Sequence, residues 1–235
     1  MRNGWRLMRN AAGSAALAYG AYAGYTWLRY GRPDLHTAPE PLLDRFMPVC
    51  EVRERHHARV HAPAAVAYAA AQSVAFDDSP VVRALFALRA TPASDRRRRA
   101  QADGRPLRDR MMDIGWGVLD EQPGREIAFG AVTQPWRADV VFRPLPPADF
   151  AAFAEPGFAK IAWNLAVESD GPDRCRFRTE TRVATTDAVS RRLFRRYWAA
   201  LSPGIILIRY EMLRMVKNRA ASFPLPPASP RQTRC

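Results

Sequence analysis

Residues 174–184 read RCRFRTETRVA, and residues 185–216 continue TTDAVSRRLFRRYWAALSPGIILIRYEMLRMV. In the first segment Cys175, Phe177, Thr179, Thr181 and Val183 share one parity. Arg174, Arg176, Arg178, Glu180 and Arg182 share the other. Successive side chains of a strand point to opposite faces, so the pattern predicts a strand with one buried face and one wet, arginine-rich face. Thr185-Thr186-Asp187 then supplies a helix cap. Beyond it Val189, Leu193, Tyr197, Leu201, Ile205, Ile208, Met212 and Val216 recur every three or four residues. They form one apolar stripe over about eight turns. Pro203-Gly204 lies inside that helix, and because proline removes an internal hydrogen bond a kink is expected near Ser202. A strand with one dry face followed by a helix with one dry stripe buries both when the helix lies across the sheet.

Upstream segments supply the rest of such a sheet. Cys50 to His61 alternates, with Val52, Glu54, His56, Ala58 and Val60 on one face and Glu51, Arg53, Arg55, His57 and Arg59 on the wet one. Pro63 opens a small helix over 64–72, and Asp77-Asp78-Ser79-Pro80 opens a second with Val81, Leu85, Phe86 and Leu88 on its apolar face. Residues 91–107, with Arg96 to Arg99, have no apolar pattern and read as a solvated loop. Strands are expected at 111–120, 125–132, 136–143 and 158–168. The third of these aligns Trp136, Ala138, Val140 and Phe142, and the last aligns Ile161, Trp163, Leu165 and Val167. A short helical insert is expected over 149–154. Helices segregated from antiparallel strands make this an α+β chain. The expected divisions are an N-terminal hydrophobic helix over 1–31, a linker over 32–48 with a short helix at Leu42 to Met47, the main domain over 49–222 and a proline-rich tail without structure over 223–235.

The N-terminal segment allows three readings. Asn10 to Leu28 carries no charge, and at about 1.5 Å per residue it spans roughly 28 Å, close to a hydrocarbon core of about 30 Å. Arginines flank it, and Trp5, Tyr25, Trp27 and Tyr30 sit where an interfacial aromatic belt would. Yet it is mostly Ala, Gly and Tyr, with Leu17 alone inside. A membrane anchor through residues 10–28, a helix packed on the protein's own surface and a cleaved signal with Ala21-Tyr22-Ala23 at its cleavage site all fit. The expected location is membrane-associated or cytoplasmic.

Composition narrows the function classes. The 235 residues suffice for one large core, with 48% hydrophobic and 25% charged residues. The net charge is +13, but Lys160 and Lys217 are the only lysines. An arginine coat of this kind reads as solvated surface more readily than as a nucleic-acid footprint. Three cysteines, with no CxxC and no histidine-rich partner, give neither metal spacing nor a disulfide framework. The motifs of hydrolases, zinc proteases, dinucleotide binders and P-loop proteins are absent, so no cofactor is implied.

The order of elements, with Arg196-Tyr197-Trp198 and Leu201-Ser202-Pro203-Gly204-Ile205-Ile206-Leu207-Ile208-Arg209, resembles the START/polyketide-cyclase (SRPBCC, helix-grip) superfamily. More narrowly, Leu43-Asp44-Arg45-Phe46-Met47-Pro48, Gly130-Ala131-Val132-Thr133-Gln134-Pro135-Trp136 and Phe177-Arg178-Thr179-Glu180-Thr181-Arg182-Val183 resemble uncharacterised actinobacterial members. The resemblance spans about Leu42 to Ala221. It implies a helix-grip fold, a curved antiparallel sheet wrapped on the C-terminal helix, with a cavity between them. It carries over no catalytic residue, because the superfamily shares none. The Cys/His spacing of its Rieske and mononuclear-iron relatives is missing.

On that fold the inward parity supplies the candidate ligand contacts. The aromatic ones are Trp116, Phe129, Trp136, Phe142, Trp163, Phe177, Tyr197 and Trp198, with Leu201 and Ile205 beside them. The polar ones are His56, with Glu54, and Thr179 with Thr181. First and last strands are expected side by side, so His56 meets Thr179 or Thr181, as a polar hook, as an acid or base, or as a satisfied internal pair. The partner these residues fit is a small apolar molecule, a lipid or polyketide-like compound. Two alternatives remain: a cyclase or dehydratase using His56 in the same cavity, and a basic-surface binder of nucleic acid or anionic membrane using Arg96 to Arg99 with Arg174, Arg176 and Arg178.

Overall fold

The computed structural model describes residues 2–32, 39–75, 78–87 and 105–223. The expected loop at Arg96 to Arg99 and the tail beyond Phe223 lie outside them. The elements run α1 (Arg2–Arg29), α2 (Pro41–Phe46), β1 (Val52–Val60), α3 (Ala64–Ser73), α4 (Pro80–Ala87), α5 (Leu107–Asp113), β2 (Gly117–Gln122), β3 (Glu126–Thr133), β4 (Phe142–Arg143), α6 (Pro147–Ala152), β5 (Ala159–Ser169), β6 (Cys175–Thr185) and α7 (Ala188–Ser222). The strands form one curved antiparallel sheet in the order β1-β6-β5-β3-β2, with β4 paired to the end of β3. α7 crosses its concave face, which is the helix-grip arrangement expected.

The strand parities hold. β1 and β6 pair with His56 opposite Thr179 and Ala58 opposite Phe177, and β6 and β5 pair with Thr181 opposite Trp163. Val60, Phe177, Cys175, Leu165, Trp163, Phe129 and Ile127 all turn toward α3, α5 and the C-terminal half of α7. Asp187 caps α7 as expected. Its carboxylate accepts the amides of Val189 and Ser190 and also that of Gly157, and these hydrogen bonds, the Ser190 hydroxyl's first, hold its pKa well below the usual carboxylate range.

The apolar stripe of α7 differs in its first half. Val189 and Leu193 are exposed, and Leu201 is 40% exposed. The buried line runs instead through Ser190, Phe194, Trp198 and Ser202, one position on, then through Met212, Leu213, Val216 and Ala220. The expected line carries Val189 and Leu193 at this level, whereas the buried one carries Phe194 and Trp198 between two serines. The larger burial goes with Phe194 and Trp198, which have more area to remove from water than Val189 and Leu193.

Two expected strands are mostly something else. Residues 107–113 form α5, burying Leu107, Arg110 and Met111 at helical spacing, so strand β2 starts only at Gly117. Gly115 makes the turn between them at φ +98, where a Cβ would meet the Phe142 carbonyl oxygen at 2.2 Å. Of 136–143 only Phe142–Arg143 pairs. The Arg137 amide donates to Gln134 O (3.0 Å), which makes a turn of the alternating residues before it.

The outer face is not wet at its centre. Glu180 and Arg182 are 0% exposed, and Asn164 and Glu126 are buried. The residues expected to be a linker supply the cover: α2 buries Leu42, Leu43 and Phe46, which pack with Met47, Phe150, Ala128, Val132 and Ala162. Small outer residues Ala128, Gly130 and Ala162 leave room for it, and the Leu119 side chain, displaced by the bulge in β2, fills the space above Gly130. Beneath α2 lies a network of charges. Arg182 Nε donates to Glu180 Oε1 (2.6 Å), and its Nη1 donates to Met47 O (2.7 Å) and lies 2.7 Å from Asp44 Oδ1. Glu180 also receives Arg55 (2.6 Å), and Glu40 receives Arg55 (3.3 Å) and Arg178. Burial disfavours the Arg182 cation, and the Glu180 and Asp44 carboxylates more than offset it, leaving its pKa raised.

α1 lies against the back of α7. The Tyr19 hydroxyl donates to Ala200 O, Arg195 donates to Trp27 O (2.6 Å) and stacks on the Trp27 ring at 4.1 Å, and the Tyr30 hydroxyl donates to Glu51. Two of the residues read as a membrane belt, Trp27 and Tyr30, are thus contacts within the protein. No helix among the described residues is long and apolar enough to cross a membrane, which corrects the transmembrane reading of 10–28.

Removing one partner of a buried ion pair strands the other, at roughly 3–5 kcal/mol. Arg182→Ala is therefore expected to lower unfolding stability by about that amount in urea titration, while Arg176→Ala, exposed on the same strand, changes it by less than about 0.5 kcal/mol. Equal effects would show that the buried network adds nothing beyond solvated charge.

Candidate functional site

The space between sheet and α7 divides into two apolar clusters. One gathers Val52, Ala159, Val183, Phe194 and Trp198, with Trp136, Ile161, Tyr197 and Ile205 packed on it. The other gathers Phe129, Trp163, Leu165, Phe177, Met212, Leu213 and Val216. Between the two halves of α7 lie Ser202 and Arg209, and on the sheet beneath lie His56 and Thr181. Polar groups sit where the core is interrupted.

The aromatic side chains of the second cluster form a continuous set. Phe129 stacks on Trp163 at 4.7 Å, Trp116 meets Trp163 edge-on at 5.9 Å, and Phe142 stacks on Trp116 at 4.8 Å. The Arg209 guanidinium lies over the Trp163 ring at 5.0 Å. Glycine turns and paired strands fix these rings, so their faces are held without loop flexibility.

The expected polar residues separate into satisfied and unsatisfied ones. Thr179 is opposite His56, as expected, but its hydroxyl donates to Asn164 O (2.7 Å), an internal bond between neighbouring strands. Thr181, 7% exposed, has no hydrogen-bond partner for its hydroxyl. His56, 9% exposed, packs against the Tyr210 ring at 4.9 Å, and its Nε2 stands 3.6 Å from Glu54, too far for a hydrogen bond. Ser202 is fully buried, and its hydroxyl also lacks a partner.

The structure thus brings together His56, Thr181, Trp163, Phe129, Trp116 and Phe142 of the expected set. Trp136, Tyr197, Trp198 and Ile205 belong to the other cluster, nearer the start of α7. Leu201 points to solvent and leaves the set. Sequence reasoning passed over Arg209, Tyr210 and Ser202. The signal was present: Arg209 and Ser202 share a face with Met212 and Val216, so a cation and a hydroxyl interrupt the stripe. Two adjoining clefts of about 280 and 270 Å3 open at the end of α7, lined by Ser73, Val74, Asp78, Met215, Asn218, Arg219, Ser222 and Phe223. None of the expected contact residues lines either.

Among solved structures, CalU16 from Micromonospora echinospora matches with 14% identity over 72% of this chain and 84% of that one, at a TM-score of 0.24. The ZhuI aromatase/cyclase from Streptomyces sp. R1128 matches with 11% identity over 72% of this chain and 93% of that one, at a TM-score of 0.28. At that identity the likeness gives this chain no ligand and no reaction. No family model and no curated protein matches the chain.

A buried hydroxyl without a partner is destabilising, and one with a partner contributes about 1 kcal/mol. Thr181→Val is therefore expected to raise unfolding stability by about 1 kcal/mol and Thr179→Val to lower it by about 1 kcal/mol, measured by denaturant titration. A loss of similar size in both would mean that the Thr181 hydroxyl is engaged within the protein.

Proposed function

We propose that the chain binds a small, flat apolar molecule between its sheet and its C-terminal helix, against the rings of Trp163, Phe129 and Trp116. The observation that supports this is the interrupted core. A fold that needed only packing would run its apolar cluster unbroken beneath α7. Here three buried polar groups, His56 Nε2, Thr181 Oγ1 and Ser202 Oγ, lack partners beside stacked and largely buried aromatic rings. Leaving such groups unpaired costs stability, which is retained where a ligand uses them. β1 is an edge strand, and Glu54 and Tyr210 at its side of α7 are partly exposed, which supports access from that edge.

The neutral dye N-phenyl-1-naphthylamine, whose emission rises in apolar surroundings, is expected to bind with micromolar affinity. Trp163→Leu is expected to weaken it roughly tenfold, the worth of an aromatic stack, and Leu201→Ala to leave it unchanged. Absence of binding to the wild-type protein would leave the interior a structural one.

One contact favours a second reading, acid–base chemistry: His56 Nε2 faces the Glu54 carboxylate on the same strand. On that reading His56→Ala abolishes turnover of a cyclisable polyketone while dye binding persists. Unchanged turnover removes His56 from any mechanism. A basic-surface role has less support, since Arg178 is held by Glu40 and Glu168 and, among the described residues of its patch, Arg174 and Arg176 alone are exposed without such pairing.

A further inference from the structure

The two faces of the sheet treat arginine differently. On the outer face Arg53, Arg55, Arg178 and Arg182 each meet a carboxylate. On the inner face Arg209 meets none among the described residues, and its one contact of note is the Trp163 ring at 5.0 Å. The carboxylates close to it in sequence or on the facing strand are already placed. Glu211 accepts Arg214 (2.7 Å) and the Ser79 hydroxyl (3.0 Å), and Glu54 lies against His56. Burial pushes the Arg209 pKa down to about 10, so the side chain remains a cation at neutral pH.

Arg209 is half-buried, and a cation partly removed from water is normally paired. A guanidinium lying over an indole face keeps its N–H donors in its own plane, along the rim, and a planar fork of this kind matches two anionic oxygens. Around it are Thr181, the cross-strand neighbour of Trp163, and Ser202, two turns earlier on the same face of α7, both with unpartnered hydroxyls. His56 stands two residue pairs along from Thr181 on the adjoining strand, on the same face of the sheet. All four point to one kind of group.

We propose that Arg209 holds an anionic oxygen group, a carboxylate or an ionised phenol or enol, carried by the flat molecule bound on Trp163, with the Thr181 and Ser202 hydroxyls and His56 completing its hydrogen bonds. This rests on the inner face being a binding site at all. The ligand class is then an aromatic or polyene acid, not a neutral lipid.

Two dyes with the same anilinonaphthalene skeleton separate the two claims. N-Phenyl-1-naphthylamine is neutral, and 8-anilinonaphthalene-1-sulfonate adds one anionic group. The readout is the ratio of their dissociation constants. Arg209→Gln is expected to shift that ratio against the sulfonate by roughly tenfold, the worth of a charged hydrogen bond, with the neutral dye held within about twofold. Arg209→Lys, which keeps the charge and loses the fork, is expected to fall between, and serves if the Gln variant is poorly folded. Arg176→Gln, a surface change, leaves the ratio as it was. If neither dye binds the wild-type protein, the binding reading fails and this inference with it. If both bind and Arg209→Gln leaves the ratio unchanged, or Arg176→Gln moves it as far, the anion is held elsewhere and Arg209 is not its partner.

Discussion

Arg182 beneath α2 is the contact on which the arrangement depends. A fully buried guanidinium is tolerated only where carboxylates and a carbonyl surround it, and Glu180 on the same strand with Asp44 and Met47 of the α2 segment do so. Through them β6, the second strand of the sheet, is tied to a segment more than a hundred residues earlier. Arg55 extends the same tie to β1 and Glu40. With the convex side closed by α2 and α6, the sheet keeps its curvature and its concave side faces α7.

The division between faces follows. At the centre of the outer face the charges of Arg53, Arg55, Arg178 and Arg182 are matched within the protein, so that part of the face is a structural one despite its arginines. Burial pushes the Glu126 carboxyl up even there, against the hydrogen bond it receives from Asn164. Inner polar groups are fewer, and those of His56, Thr181 and Ser202 are unmatched. A protein of ordinary stability tolerates a handful of such groups, each worth on the order of 1 kcal/mol. Their clustering beside stacked rings separates them from random imperfection.

Much of this was legible in the sequence. Period-two alternation placed the inward residues of β1, β3, β5 and β6 correctly, because one face of each had to be greasy. Asp187 announced α7. What misled was exposure: alternation of Arg with Thr in 174–184 says which residues share a face, not whether that face is wet. The answer lay in residues 41–47, legible as a short helix but not as the cover of the sheet, and in the small outer residues Ala128 and Ala162 that accommodate it. The inner line of α7 was misread by one position because two apolar lines compete there, and only the volumes of Phe194 and Trp198 decide. Trp136 to Phe142 alternates by chance in a chain that turns. Within the site, aromatic residues were visible as inward bulk, whereas Arg209 was hidden by counting only the apolar members of its stripe.

Pro203 sits between the two clusters that α7 serves. It has no N–H to offer the Ala199 carbonyl, so the helix lacks one axial bond at that level. Phe194 and Trp198 anchor the rod on one side of the gap and Met212, Leu213 and Val216 on the other. The softest joint of the rod and the seam in the core therefore share a single address, and a molecule wedged there would work against a spring already slackened.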